Sequence, residues 1–180
     1  MKIPIFVSCP TALTKAQDAS RRLILVELQR CGFEARALGR SDYPTTNPLR
    51  EVLVLAKHCS GGVILGFEQF YCRQGVSKRG TSKQKTVRSA TVFPTAWNNL
   101  EAGILFGLHL PLLVFKEDGI YDGVFDAGVT DVFLYPIPKP AMKPRERQAL
   151  REVSTNGKQT FAGTTMVSEK IVLNRAARYA

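Results

Sequence analysis

Three observations predict an α/β fold in which helices cover both faces of a doubly wound, parallel five-stranded sheet. Short apolar runs recur along the chain and are separated by helical or loop stretches rather than by tight hairpin turns. One of them, Val63 to Phe67, is continuously apolar, as a strand buried on both faces must be. Parallel neighbours need long crossovers, and these are right-handed almost without exception.

The elements follow in order. Ile3 to Cys9 is a first, β-leaning strand, and a helical pattern runs from about Thr14 to Cys31. There Ala19, Leu23, Val26 and Leu28 keep helical spacing with Arg21, Arg22 and Arg30 outside, and Gly32 supplies a stop. Phe33 to Leu38 reads as the second strand. The polar turn GRSDYPTTN then leads to a helix opened by Pro48, with Asn47 as its cap, that ends at Ser60-Gly61-Gly62. Val63 to Phe67 is the third strand.

A long loop, Glu68 to Thr95, carries Gly, Ser, Thr and Lys without periodicity. Irregular loops longer than about 15 residues are uncommon in compact domains unless they bind or cover something. An apolar helix containing Glu101 follows, then a strand from Pro111 to Phe115. A Gly- and Asp-rich loop with no evident helix leads to a fifth strand, Val132 to Tyr135. The arrangement is flavodoxin-like, with residues 1–138 as the α/β domain and 139–180 as a basic C-terminal extension. The extension holds one basic helix, Pro144 to Val153, and a short one from Ser168 to Arg178.

A chain of 180 residues that is 44% hydrophobic fits one domain with a substantial core. No run approaches the roughly 20 apolar residues that span a bilayer, and MKIPIFVSC is too short for a signal peptide. Membrane partners are therefore not expected. Cys9, Cys31, Cys59 and Cys72 form no CxxC pair, and the only histidines are His58 and His109. A metal site is not expected, and Cys31 and Cys59, each where a helix runs out just before glycine, read as buried small hydrophobes of a reduced, cytoplasmic protein. The two histidines read as partners of helix C-termini. The acids between Asp118 and Asp131 lack EF-hand spacing.

The net charge of +10 is uneven: Glu68 to Ala90 carries +5, Lys139 to Ala180 carries +6, and the remainder −1. Loop and tail are thus candidates for polyanions, either nucleotide phosphates or nucleic acid.

In doubly wound folds ligands bind at the carboxyl ends of the strands, where strand order reverses. That rule selects Ser8, Cys9 and Pro10 after the first strand, and Arg40, Asp42 and Tyr43 after the second. It also selects Gly66, Phe67 and Phe70 after the third, with Trp97, Asn98 and Glu101 opening the next helix. Hydroxyl, amide, carboxylate and aromatic faces together suit a ribose with an attached base. Neither GxGxxG nor GxxxxGK[ST] is present. Phosphates would fall to helix N-termini and to Lys78, Arg79, Lys83, Lys85 and Arg88.

Glu101 is the only charged residue between Arg88 and Lys116. An unpaired buried carboxylate costs several kcal/mol, so its retention on an apolar helix points to use. With the Ser8 strand and the run Trp97-Asn98-Asn99-Leu100-Glu101-Ala102-Gly103, the chain resembles the TIR domain and nucleoside 2-deoxyribosyltransferase superfamily over roughly residues 3 to 136. The resemblance implies that Glu101 is the catalytic carboxylate at an anomeric carbon, with Ser8 a ribose or phosphate contact and Trp97 a flanking aromatic. It further implies a homo-oligomer and a role in bacterial anti-phage defence.

The chemistry matches the residue types. Cleaving an N-glycosidic bond passes through an oxocarbenium-like sugar that one carboxylate can capture or stabilise. Nicotinamide leaves with little protonation, which favours NAD or a related nucleotide as substrate or ligand where Asp42 is the only other acid in view. Deoxyribosyl transfer is the second enzymatic reading. A non-catalytic nucleotide-sensing or scaffold module, binding phosphates, nucleic acid or a partner through loop and tail, is the third.

Overall fold

A computed structural model of the chain describes residues 2–37, 48–128, 132, 134–142, 145–157 and 161. In chain order the elements are β1 Ile3–Ser8, α1 Lys15–Arg30, β2 Phe33–Arg36, α2 Pro48–Lys57 and β3 Gly62–Gly66. There follow four short strands, β4 Phe70–Cys72, β5 Gly75–Ser77, β6 Lys85–Val87 and β7 Thr91–Phe93, and then α3 Ala96–Gly107, β8 Leu112–Lys116 and β9 Leu134–Pro136. Residues 145–157 are helical and are labelled α4.

The main sheet has the order β2-β1-β3-β8-β9 and every pair in it is parallel. This is the flavodoxin-like order, in which the sequence of strands reverses between β1 and β3. Alternate side chains divide between two cores, as the two-residue period of a strand requires. Phe6, Ile64 and Val114 pack with Val52, Leu55, Ala102 and Leu105 of α2 and α3. Ile5, Val63, Leu65 and Phe115 pack on the other face with Ile24 and Leu28 of α1 and with Leu150 and Phe161. The C-terminal extension thus contributes to the core, and the Phe161 ring packs tilted against that of Phe33 with centroids 5.4 Å apart.

Helix α1 departs from the expected phase. Its buried side is Gln17, Ser20, Ile24, Glu27 and Leu28, while Val26 stands exposed. Apolarity alone mis-set the stripe because two polar residues lie in it. Gln17 closes a capping box with Thr14, and Glu27 is neutralised by Arg30 at 2.6 Å and by Arg151 of α4 at 3.3 Å.

The loop after β3 is not irregular. Two antiparallel ribbons are nested in it, β4 with β7 and, further out, β5 with β6. Three-residue strands of mixed Thr, Ser, Lys and Val show too little alternation to be recognised in the sequence. Between β8 and β9 the described residues hold only a single 3₁₀ turn, Gly123–Phe125, which agrees with the missing helical pattern there. Asp126 folds that loop by accepting from the Asp122 backbone N–H. Lys116 ties it down by donating to the carbonyls of Ile120 and Phe125.

The polar turn GRSDYPTTN with its Asn47 cap, and the Ser168–Arg178 helix, lie outside the described residues. Among the described residues no helix is long and apolar enough to cross a membrane. No group of three His, Cys, Asp or Glu side chains there is placed to hold a metal ion.

Candidate functional site

The N-terminus of α3 lies over the carboxyl ends of β1 and β3. Thr95 caps it by accepting from the Trp97 N–H at 3.2 Å, and a Schellman-type turn ends it. There Leu110 N–H reaches Leu105 O and His109 N–H reaches Phe106 O, with His109 itself in the left-handed region. Both ends being fixed, the side chains of the first two turns are held in place.

Asn98, in the first turn, is fully buried. Its Nδ2 donates to Ser8 Oγ at 2.7 Å and, at 3.5 Å, to the Leu65 carbonyl. One amide therefore joins the last residue of β1 to β3 at the reversal point of the sheet. The Asn98 Oδ1 is buried without a hydrogen-bond partner. Such an acceptor normally costs about 1–3 kcal/mol.

Glu101 is the sixth residue of α3, in the second turn; the first turn contains no acid. It is half-buried. Burial pushes its carboxyl above the ordinary glutamate range, and the neighbouring Ser8 hydroxyl draws it back part of the way. Ser8 Oγ thus accepts from Asn98 Nδ2 and stands beside the Glu101 carboxyl. No cation pairs with Glu101 among the described residues.

The structure brings Ser8, Asn98 and Glu101 together. Cys9 is half-buried beside them and Pro10 is buried. Trp97 and Phe70 are exposed near the start of α3 and on β4, with Phe70 against Phe93 at 6.2 Å between centroids. Gly66 ends β3 where a Cβ would lie 2.4 Å from the Phe125 ring, so its role is close packing. Phe67, expected at the ligand edge, is turned into the core beneath α1 and is fully buried. Lys78, Arg79, Lys83, Lys85 and Arg88 lie on or beside the outer β5–β6 ribbon and are exposed. Arg40, Asp42 and Tyr43 lie outside the described residues.

Several polar residues at this edge escaped the sequence reading. Glu117 follows β8 directly and accepts from the Glu68 N–H at 2.6 Å and from Gln17 Nε2 at 3.1 Å. With Thr14, Lys116 and Lys139 these residues line an open cavity of about 700 Å³ on the α1 side of the strand ends. Asn99 accepts from the Val124 N–H at 2.9 Å and so anchors the β8–β9 loop to α3. Applying the strand-end rule to β8 as well as to the first three strands would have found Glu117. Asn99 gave no signal, because its partner is a backbone amide in an irregular loop.

No family model matches the chain, and no curated protein matches it. Among solved structures it is similar to the metal-soaked flavodiiron core of Flv1 from Synechocystis sp. PCC6803. The TM-score is 0.47 and the identity 11%, over 91% of this chain and 36% of that one. The chain therefore spans well under half the length of that structure.

Proposed function

We propose that the chain is a TIR-like nucleotide-binding protein that hydrolyses, or transfers at, the N-ribosyl bond of NAD or a related nucleotide, with Glu101 as the catalytic carboxylate. The observation that supports this most is the unpaired, half-buried Glu101 at the reversal point of the sheet, beside a serine hydroxyl that buried Asn98 holds in place. The structural carboxylates nearby are satisfied by several donors: Glu117 accepts from Glu68 N–H and Gln17 Nε2. Glu27, buried on α1, has two cationic partners.

In the proposed reaction the Glu101 carboxylate attacks or shields C1′ of the ribose. The C1′–N bonding pair returns to the pyridinium nitrogen, and nicotinamide leaves neutral. Water then completes hydrolysis to ADP-ribose and releases a proton, or an acceptor nucleophile completes transfer. Desolvation leaves the carboxylate more reactive toward the developing positive charge, while Ser8 keeps it oriented. The unpartnered Asn98 Oδ1 suits a ribose hydroxyl as donor, and exposed Trp97 offers a face for a base. Assembly into homo-oligomers and a place in anti-phage defence belong to the same reading through the resemblance alone.

NAD consumption by wild type and by Glu101→Ala, compared at equal folded concentration, tests the assignment; equal turnover would sink it. Incubation with a deoxynucleoside and a free base separates NAD cleavage from deoxyribosyl transfer. The same Glu101 site serves either reaction, and the product of base exchange appears only in the second.

A further inference from the structure

From Gln69 to Leu100 the chain has no acidic residue but six cations, Arg73, Lys78, Arg79, Lys83, Lys85 and Arg88. The structure gathers four of them, Lys78, Arg79, Lys83 and Lys85, on the outer ribbon, and every residue from Val76 to Thr86 is exposed. β5 and β6 pair only with each other, and none of the six cations has an ion-pair partner among the described residues.

The tip is built rather than loose. Lys78 and Gly80 take left-handed backbone conformations. The Thr81 hydroxyl and N–H both donate to the Lys78 carbonyl, at 2.8 and 3.2 Å. Gly80 N–H donates to Gln84 Oε1 at 2.8 Å and Gln84 N–H to the Thr81 carbonyl at 3.0 Å. Like charges concentrated on an ordered turn repel one another, so the arrangement is destabilising unless a polyanion relieves it.

We propose that this ribbon is a contact surface for duplex DNA, held through phosphates without sequence readout. The major groove of B-form DNA admits a two-stranded ribbon and is about 8.5 Å deep. A three-residue strand rises about 10 Å, so the tip and both flanks reach the phosphates that line the groove. The narrow major groove of duplex RNA does not admit it. The pyrophosphate of a dinucleotide, with two negative charges, would neutralise only a third of these six cations. A lipid surface is disfavoured because the tip from Ser77 to Lys85 carries no large apolar side chain to insert.

The test uses the full chain, a fluorescent 20-base-pair duplex of arbitrary sequence, and anisotropy at two salt concentrations. With four phosphates contacted, affinity falls on the order of 100-fold between about 50 and 200 mM salt. The variant K78Q/R79Q/K83Q/K85Q loses binding at least tenfold at the lower salt and flattens the salt slope, with a melting temperature no lower than that of wild type. K2Q/K15Q/R50Q/K57Q, which removes the same charge from exposed positions elsewhere, retains wild-type affinity. No duplex binding by wild type, equal loss in both quadruple variants, or binding to phosphatidylserine vesicles in place of duplex would each overturn the proposal. No NAD is present in the assay, so the outcome is independent of the role given to Glu101.

Discussion

Asn98 and Ser8 are joined across 2.7 Å between the first turn of α3 and the last residue of β1, and this one bond fixes the hydroxyl that faces Glu101. The catalytic reading makes the pair a device for setting the reactivity of a carboxylate. The carboxylate acts ionised, and burial raises its pKa. Activity is therefore expected to fall as pH drops through a value higher than that of an ordinary glutamate. Ser8→Ala removes the interaction that lowers the pKa, so the acid limb of the kcat profile moves further up. A profile unchanged in Ser8→Ala would separate Ser8 from Glu101.

The same pKa shift has a consequence for stability. A carboxyl whose folded pKa exceeds its unfolded value binds more protons when folded, so its contribution is most favourable below the unfolded pKa. It becomes unfavourable as pH rises through the folded pKa. Glu101→Gln is therefore expected to melt above wild type at pH 7–8, with a gain that disappears near pH 4. Each kcal/mol corresponds to about 2–4 °C in a domain of this size. Thermal melts at the two pH values check it, and a lower melting temperature at pH 7 would mean that Glu101 has a stabilising partner.

The sheet was legible in the sequence because its central strands are apolar at nearly every position and its helices end at or shortly before glycines. The reversal point, and with it Ser8, Asn98 and Glu101, followed from strand order. What could not be read lay where polar groups act as core. Gln17 and Glu27 occupy the buried stripe of α1, and their partners Glu117 and Arg151 are remote in sequence. Phe67 looked like an edge aromatic because nothing local says on which side of the sheet a residue just past a strand will turn. The ribbons inside the long loop were invisible for lack of length, since three-residue strands give no usable period.

Two glycines at opposite ends of the packing scale give a stability test of the site's frame. A Cβ on Gly66 would sit 2.4 Å from Phe125 Cε1, whereas one on Gly103, on the exposed side of α3, meets nothing within 4 Å. Gly66→Ala is expected to cost about 1–3 kcal/mol by displacing Phe125. Gly103→Ala is expected to stabilise by about 0.5–1 kcal/mol through helix propensity. Urea denaturation of the two variants decides it. Equal midpoints would show that Phe125 does not pack under the end of β3.

The C-terminal extension offers the last prediction. Leu150 and Phe161 are buried at 6% and 1% exposure among β1, β3 and β8 side chains, and a Cβ on Gly61 would touch the Phe161 ring at 2.8 Å. Glu27, itself 5% exposed, reaches Arg151 from α1, so apolar packing and an ion pair hold the same helix. Packing contributes more than the ion pair does. Truncating a buried leucine or phenylalanine to alanine costs about 2–5 kcal/mol, whereas Arg151→Ala leaves Glu27 still paired with Arg30 and costs roughly 1 kcal/mol or less. Leu150→Ala and Phe161→Ala are accordingly expected to lower the melting temperature far more than Arg151→Ala, and to open the extension to trypsin at exposed Arg145 and Arg147. Wild-type melting in both alanine variants would show that the extension lies outside the cooperative fold.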